Sequence, residues 1–458
     1  MSLNQETKIE YTMARRRQRK KLPTEAFKIK IESLSHDGRG VAHHADGKTI
    51  FVDAALPGEE VEYVYTNQRS KFDEGRCVNV LKASNERATP KCEFFGICGG
   101  CSMQHMSSDA QIEHKQSILL EQLQHFGKTQ AEVVMPPMKD EQWGYRRKAR
   151  LGVKYVYKKD TVLVGFREKR NSFLANIDNC SVLDPRVAEL IMPLRELIYG
   201  LIAREGIPQI EVACGDDSVA LVFRHLQSLS KIDKQLLIEF AIKYQLDIYL
   251  QSGGPSTVEK LYPEDGNTRL SYQLEDFDLE MLFHPMDFTQ VNAGINRKML
   301  HLAIELLDIQ PEDKILDLFC GLGNFSLPIA RRAAKVSAVE GDETMVVRGR
   351  ENAVHNNIDN IDFFAANLAG EFYNEPWATE GFDKLLIDPP RSGAYEICQH
   401  LSAFGAKRIV YVSCNPATLA RDASVLIEQG YVMKKAGVMD MFPQTSHVES
   451  IAVFLKED

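Results

Sequence analysis

The spacing of hydrophobic and polar positions changes several times along the chain, and each change marks a different kind of element. Residues 1–24 are polar and basic with no apolar period, which predicts a flexible arm. Phe27-Lys28-Ile29-Lys30-Ile31 alternates as a strand does, Asp37-Gly38 and Ala45-Asp46-Gly47 mark turns, and Lys48-Thr49-Ile50-Phe51-Val52 is a second strand. Two further short strands, at 60–65 and 75–81, complete a closely spaced set that predicts a small antiparallel barrel of the oligonucleotide-binding type over 25–84. A helical period over 107–126 brings Ile112, Leu119, Leu123 and Phe126 to one side. From 143 to 280 apolar strands such as 219–223 alternate with charged turns, and Gly253-Gly254-Pro255-Ser256 reads as a loop. The chain is long enough for two or three domains.

The C-terminal third alternates strands with helices, the mark of a parallel α/β sheet of the Rossmann-like kind. Lys314 to Ser326 is a strand, a glycine turn (Gly321-Leu322-Gly323) and a helix start, and glycine there lets a ligand approach the backbone. The next strand ends in Glu340, placed for ribose hydroxyls, although an ordinary acid at a helix start would look the same. Asn367 follows a third strand and could hold an adenine edge. Asp388-Pro389-Pro390 follows a fourth, and its prolines project a carboxylate while forbidding regular pairing. Together these strand ends predict a dinucleotide or S-adenosylmethionine site. The lack of Gly-x-Gly-x-x-Gly turns the choice towards a class I methyltransferase.

Candidate chemistry then narrows to Cys414, in Tyr-Val-Ser-Cys-Asn-Pro, at a strand-to-helix switch. Unpaired N–H groups at a helix start favour thiolate, and so predict a nucleophile with a lowered pKa. A buried inert cysteine is the plain alternative. Glu449, in a final apolar strand that pairs antiparallel with 431–438, is the candidate base or else an exposed edge carboxylate. His447 is a weaker candidate.

Charge and cysteine content change the picture twice. A formal net charge of −9 argues against nucleic acid taken globally. Yet the basic runs 15–21 and 145–150 suggest local contact with it, or simply solvated surfaces. Three of nine cysteines, Cys92, Cys98 and Cys101, lie within ten residues among glycines. Three clustered thiols plus one distant thiol suit an iron-sulfur cluster better than zinc. Cys180 is the expected fourth ligand and Cys214 its rival. No apolar run reaches membrane-span length and no signal segment is seen, so a cytoplasmic protein without a membrane partner is expected.

Asp-Leu-Phe-Cys-Gly-Leu-Gly-Asn-Phe-Ser, Asp-Pro-Pro-Arg, Ser-Cys-Asn-Pro and His-Val-Glu-Ser, in this order, resemble the RNA uracil-5-methyltransferases over nearly the whole chain. The 25–84 segment, with Gly38-Arg39-Gly40-Val41-Ala42 and Leu56-Pro57-Gly58-Glu59, resembles a TRAM RNA-binding module. The combination is most similar to the branch acting on 23S ribosomal RNA. The resemblance implies S-adenosylmethionine contacts at Gln290, Phe319, Asn324, Glu340, Asn367 and Asp388, with Cys414 as nucleophile, Glu449 as base and Asp388 beside both cofactor and uracil. It implies a 4Fe-4S cluster on Cys92, Cys98, Cys101 and Cys180, within a central α+β domain over 85–280 that precedes a catalytic domain over 281–458. The helix near 107–126 is expected to pack on that catalytic domain, and a monomer is the default. Methylation of another uridine, in ribosomal or transfer RNA, and a non-catalytic iron-sulfur RNA sensor are the alternatives.

Overall fold

Alternating strands near the N-terminus close around a small apolar set made of Ile31, Ala42, Ile50, Val52, Val61 and Tyr63. The computed structural model describes residues 22–264, 266–370, 372 and 374–457, so the predicted arm over 1–24 lies outside them except at 22–24. The first compact unit, within 22–35 and 39–85, is one six-stranded sheet. It is not antiparallel throughout. Thr49–Asp53 runs parallel to Phe72–Lys82, while Phe72–Lys82 also pairs antiparallel with Glu60–Gln68. Three register shifts in that second pairing let one long strand bend between two neighbours.

The second unit holds two large sheets. The central one runs in the order Val258–Tyr262, Asp247–Gln251, Val219–Arg224, Gln209–Cys214, Lys148–Val156, Thr161–Gly165. Its one parallel pair, 219–224 with 247–251, is bridged by a helix, Lys231–Tyr244, whose start is closed by a Ser230/Asp233 capping box. Two strands over 270–283 form a hairpin whose buried residues join the same core as Ile295, Leu300 and Ile315. The expected boundary at 280/281 therefore falls inside a strand, Leu279–Phe283, because the hairpin shares the catalytic core.

Seven strands of the catalytic sheet are β1 (Lys314–Leu318), β2 (Lys335–Glu340), β3 (Ile361–Ala365), β4 (Lys384–Ile387), β5 (Arg408–Ser413), β6 (Tyr431–Met439) and β7 (Glu449–Lys456). They lie in the order β3-β2-β1-β4-β5-β7-β6, with β7 antiparallel to both of its neighbours. The first five are parallel, with apolar residues buried in their interiors and polar ones mostly at their ends. Val133–Val134 adds a short parallel strand beyond β6.

Helix α1 (Ser108–His125) starts at Ser107, whose side chain accepts from the Ala110 N–H. Ile112, Ile118, Leu119 and Leu123 on α1 enter the core formed with Leu419, Ala420, Ala423 and Tyr431, on and beside α2 (Pro416–Glu428). Burying each such side chain stabilises by about 1.5–3 kcal/mol, which fastens a helix from early in the chain onto the catalytic sheet. Among the described residues, no helix is long and apolar enough to cross a membrane.

Candidate active site

The parallel strands all end at one edge, where loops can carry ligand-binding groups without disturbing the sheet. After β1 the backbone turns through left-handed conformations at Phe319 (φ 64°), Gly321 (φ 56°) and Gly323 (φ 94°). Phe319 is an expensive residue for that region, and its N–H donates to Val339 O at 2.8 Å. At Gly321 an added Cβ would meet nothing nearer than Met345 Cε at 4.0 Å, so the space above the turn is open. At Gly323 a Cβ would crowd Leu327 Cδ1, and the left-handed backbone itself favours glycine.

Glu340 closes β2 and accepts from backbone N–H groups on two sides. Its Oε2 accepts from the Gly321 N–H at 3.0 Å, tying β2 to the glycine turn. Its Oε1 accepts from Gly341 and Asp342 at 2.7 and 3.1 Å, just before a helix starts. The Asn324 amide exchanges two hydrogen bonds with Asn296 (2.9 and 3.1 Å), and its Oδ1 also accepts from the Tyr272 hydroxyl at 2.9 Å. Asn367 is exposed after β3, with Oδ1 accepting from the Ala369 N–H. Gln290 is half-buried in the segment whose Val291 carbonyl accepts from the Arg147 N–H.

Cys414 and Glu449 face each other. The β5–β7 ladder ends on the pair Ser413–Ser450, so continuing the register by one residue sets Cys414 opposite Glu449. Glu449 pairs on its other side with Met439 of β6, so it is an interior strand residue and not an exposed edge carboxylate. Burial, with Asp388 nearby, pushes its carboxyl up to about 8. Asp388, just past β4, is held up at about 7 by burial and the charge of Glu340.

The lowered pKa expected of Cys414 is not found. Burial, then the carboxylates of Glu449 and Asp388, push the thiol up to about 11, against a smaller opposing pull from Arg391. Asn415 caps the following helix by accepting from Ala417, so the helix start is already satisfied by a side chain. Two carboxylates and burial outweigh what partial positive charge remains.

Asp317 and Arg391 lie inside sequence motifs that assign them no role, His447 is the weaker candidate of its motif, and Lys115 lies in no motif. Asp317 of β1 is fully buried, accepts from the Ser326 hydroxyl through Oδ2 and leaves Oδ1 without a partner; burial pushes it up to about 8. Arg391 places Nη2 at 3.0 Å from His447 Nδ1, and its carbonyl accepts from Asn415 Nδ2. His447 is pushed down to about 4 by loss of hydration and then by Arg391. Buried Lys115 of α1 donates to Asp440 Oδ1 (2.7 Å) and Phe442 O (3.0 Å), and its charge acts on Glu449. Only the apolar period of α1 could have pointed to Lys115, which occupies a core-facing position.

Cys92, Cys98, Cys101 and Cys180 line a single cavity together with Phe94 and Phe166. Burial raises all four thiols, and each of Cys98 and Cys101 feels both Cys92 and Cys180. Cys214 is buried at the end of a strand and does not line that cavity. Among the described residues no group of three or more His, Cys, Asp or Glu could hold a metal ion, so the four thiols surround a space without converging on a point. The loop leaving Cys101 is tied to the approach to β7, since the Ser102 and Met103 N–H groups both donate to Gln444 O at 3.0 Å.

The basic run at 145–150 is largely engaged by partners distant in sequence, while Arg150 stays exposed. Tyr145 is buried and donates to Pro443 O, and half-buried Lys148 donates to the carbonyls of Pro285 and Asp287. Arg147 pairs with Asp216 and Arg150 with Glu211. Long-range partners consume the charges that their local density advertised.

Residues 107–458 match the family described as tRNA (Uracil-5-)-methyltransferase, and 20–62 match the TRAM domain. The chain is 54% identical to the 23S rRNA (uracil(1939)-C(5))-methyltransferase RlmD of Alcanivorax borkumensis, over 97% of this chain and 99% of that protein. It is 55% identical to the protein of the same name from Hahella chejuensis, over 96% and 99%. A crystal structure of Pyrococcus abyssi tRNA (uracil-54, C5)-methyltransferase in complex with S-adenosyl-L-homocysteine superposes with a TM-score of 0.73 at 25% identity. It covers 94% of this chain and 100% of that one.

Proposed function

The chain belongs to the tRNA (uracil-5-)-methyltransferase family, and from that premise we propose that it methylates carbon 5 of one uridine in 23S ribosomal RNA using S-adenosylmethionine. The names of the relatives support this substrate over transfer RNA, and point to the uridine numbered 1939 in those names. The observation that carries the chemistry is the rung formed by Cys414 and Glu449, with Asp388 beside both.

Carbon 5 of uracil is too weak a nucleophile to be alkylated directly, and covalent catalysis removes that obstacle. The Cys414 sulfur adds to carbon 6, the ring electrons move onto the carbonyl oxygen of an enolate, and the thiol proton is released. Carbon 5 of this enolate is then a competent nucleophile. When bound, S-adenosylmethionine would supply an electrophilic methyl group to carbon 5, its methyl–sulfur bond breaking to leave S-adenosylhomocysteine. Glu449 next takes the carbon-5 proton, carbons 5 and 6 regain their double bond, and sulfur leaves as thiolate. Asp388, raised to about 7, can hold a proton for a hydrogen bond to uracil or accept from a cofactor amino group. The target base must be unstacked to expose carbon 6.

The turn at 319–323 fits a nucleotide cofactor, because Gly321 leaves the space above it open and Glu340 stands at the next strand end. Glu340 would hold ribose hydroxyls and Asn367 an adenine edge, with Gln290, Phe319, Asn324 and Asp388 completing the enclosure. Cys92, Cys98, Cys101 and Cys180 would ligate a 4Fe-4S cluster. The support for this is that all four thiols line one cavity, with apolar walls at Phe94 and Phe166. Its role in this reading is structural, since the Cys101 loop is bonded to the approach to Glu449.

The test is transfer of labelled methyl from S-adenosylmethionine to unmodified 23S ribosomal RNA and, in parallel, to unmodified transfer RNA, with the product nucleotide mapped. Label at carbon 5 of one 23S uridine is expected. Label only in transfer RNA would keep the chemistry and discard the substrate.

A further inference from the structure

A polyanion would meet the central sheet at exposed basic surfaces. One is built directly after strand Thr161–Gly165. The chain doubles back as a hairpin over 166–175, with the Glu168 N–H donating to Phe173 O (2.8 Å) and the Ala175 N–H to Phe166 O (2.9 Å). Its tip is set by Asn171, whose Oδ1 accepts from Ser172 (2.7 Å) and Phe173 (3.4 Å), and by a left-handed Arg170 (φ 60°). The hairpin is pinned to the cysteine loop, since Gly99 N–H donates to Arg167 O (2.9 Å) and Lys169 N–H to Ile97 O (2.7 Å). An added Cβ at Gly99 would sit 3.1 Å from Arg167 O, so this close approach favours glycine.

What the hairpin presents is basic and aromatic. Arg167 and Arg170 are exposed, Lys169 is half-buried, and Phe173 is 67% exposed at the tip. The one acid among them, Glu168, accepts from Asn171 Nδ2 at 3.1 Å. Arg167, Lys169 and Arg170 border the same wide depression. Cations that track phosphates beside an open aromatic face are the chemistry by which proteins hold unpaired RNA, because every base has a face to stack.

We propose that the 166–175 hairpin is an RNA-contact surface that takes phosphates of an unpaired stretch of the substrate on Arg167, Lys169 and Arg170 and stacks a base on Phe173. This rests on the reading of the chain as an RNA methyltransferase. It also gives the cysteine loop a second consequence, since that loop fixes where the hairpin stands.

The test uses the full chain with its cofactors, comparing the parent with Arg167→Gln/Lys169→Gln/Arg170→Gln and with Phe173→Ala. The probes are an unmodified 23S fragment containing the target uridine and an unstructured oligouridine. The triple variant should make the salt dependence of log affinity shallower by about 2, from three phosphate contacts at roughly 0.7 each. Phe173→Ala should raise Kd about tenfold with the salt slope kept. In both variants KM for the fragment should rise while kcat at saturation and S-adenosylmethionine affinity stay within about twofold, which shows that the fold is intact. Parental Kd and salt slope in both variants on both probes would overturn the proposal and leave the hairpin to a protein partner or to solvent. A parent that binds oligouridine through the hairpin yet leaves 23S RNA unmethylated would sustain the hairpin and remove only the substrate assignment.

Discussion

Lys115 and Asp440 form an ion pair of 2.7 Å with both side chains essentially sealed from solvent, at 1% and 0% exposure. One partner lies on α1 and the other directly follows Met439, the residue paired with Glu449. The pair therefore holds the strand beside Glu449 to a helix from far earlier in the chain.

Removing one member of such a pair strands a buried charge, whereas removing both restores an apolar contact. Lys115→Met should lower unfolding free energy by about 3–5 kcal/mol, and Lys115→Met/Asp440→Leu should recover most of it. Urea denaturation of the three proteins checks this. A double variant no more stable than the single one would show that the pair is not the source of the loss.

Glu449 must be ionised to accept a proton, and its pKa is raised to about 8. At pH 7 only about a tenth of it is ready, so single-turnover release of free methylated RNA from the protein adduct should climb with pH through 8. Ionisation of the Cys414 thiol, pushed up to about 11, adds in the same direction. Glu449→Gln should remove the rise near 8 and accumulate methylated RNA bonded to protein. Free turnover by that variant would exclude Glu449 as the base.

Cys414→Ala should abolish covalent capture of RNA containing 5-fluorouridine, whose carbon-5 fluorine cannot leave as a proton does. Affinity for S-adenosylmethionine should be unchanged, because the glycine turn and Glu340 belong to other loops. Denaturing gels and calorimetry read the two properties separately. Adduct formation by the alanine variant would transfer the nucleophile's role elsewhere.

Iron content separates Cys180 from Cys214. Anaerobically purified Cys180→Ser should lose most of the cluster's visible absorbance and bound iron, while Cys214→Ser should keep both, since only Cys180 lines the shared cavity. Equal losses in the two variants would undo the ligand assignment.

Sequence reasoning reached the glycine turn, the strand-end carboxylates and the Ser-Cys-Asn-Pro switch because each is a local pattern whose backbone consequence is also local. It could not show the partners of Tyr145–Arg150, because Asp216, Glu211 and Asp287 are distant in sequence. It also passed over the hairpin at 166–175, where three basic side chains are interrupted by Glu168 and look like an ordinary polar turn.

By itself the sequence determined the alternation of strands and helices, the strand-end residues and the cysteine spacing, because periodicity and turn chemistry act over a few neighbouring residues. Only the tertiary structure decided that Cys414 and Glu449 share a rung, that the Cys414 thiol is raised and not lowered, and that Lys115 reaches Asp440 across 325 residues of chain. Those outcomes depend on burial and on charges brought close by packing. Both are properties of the fold as a whole.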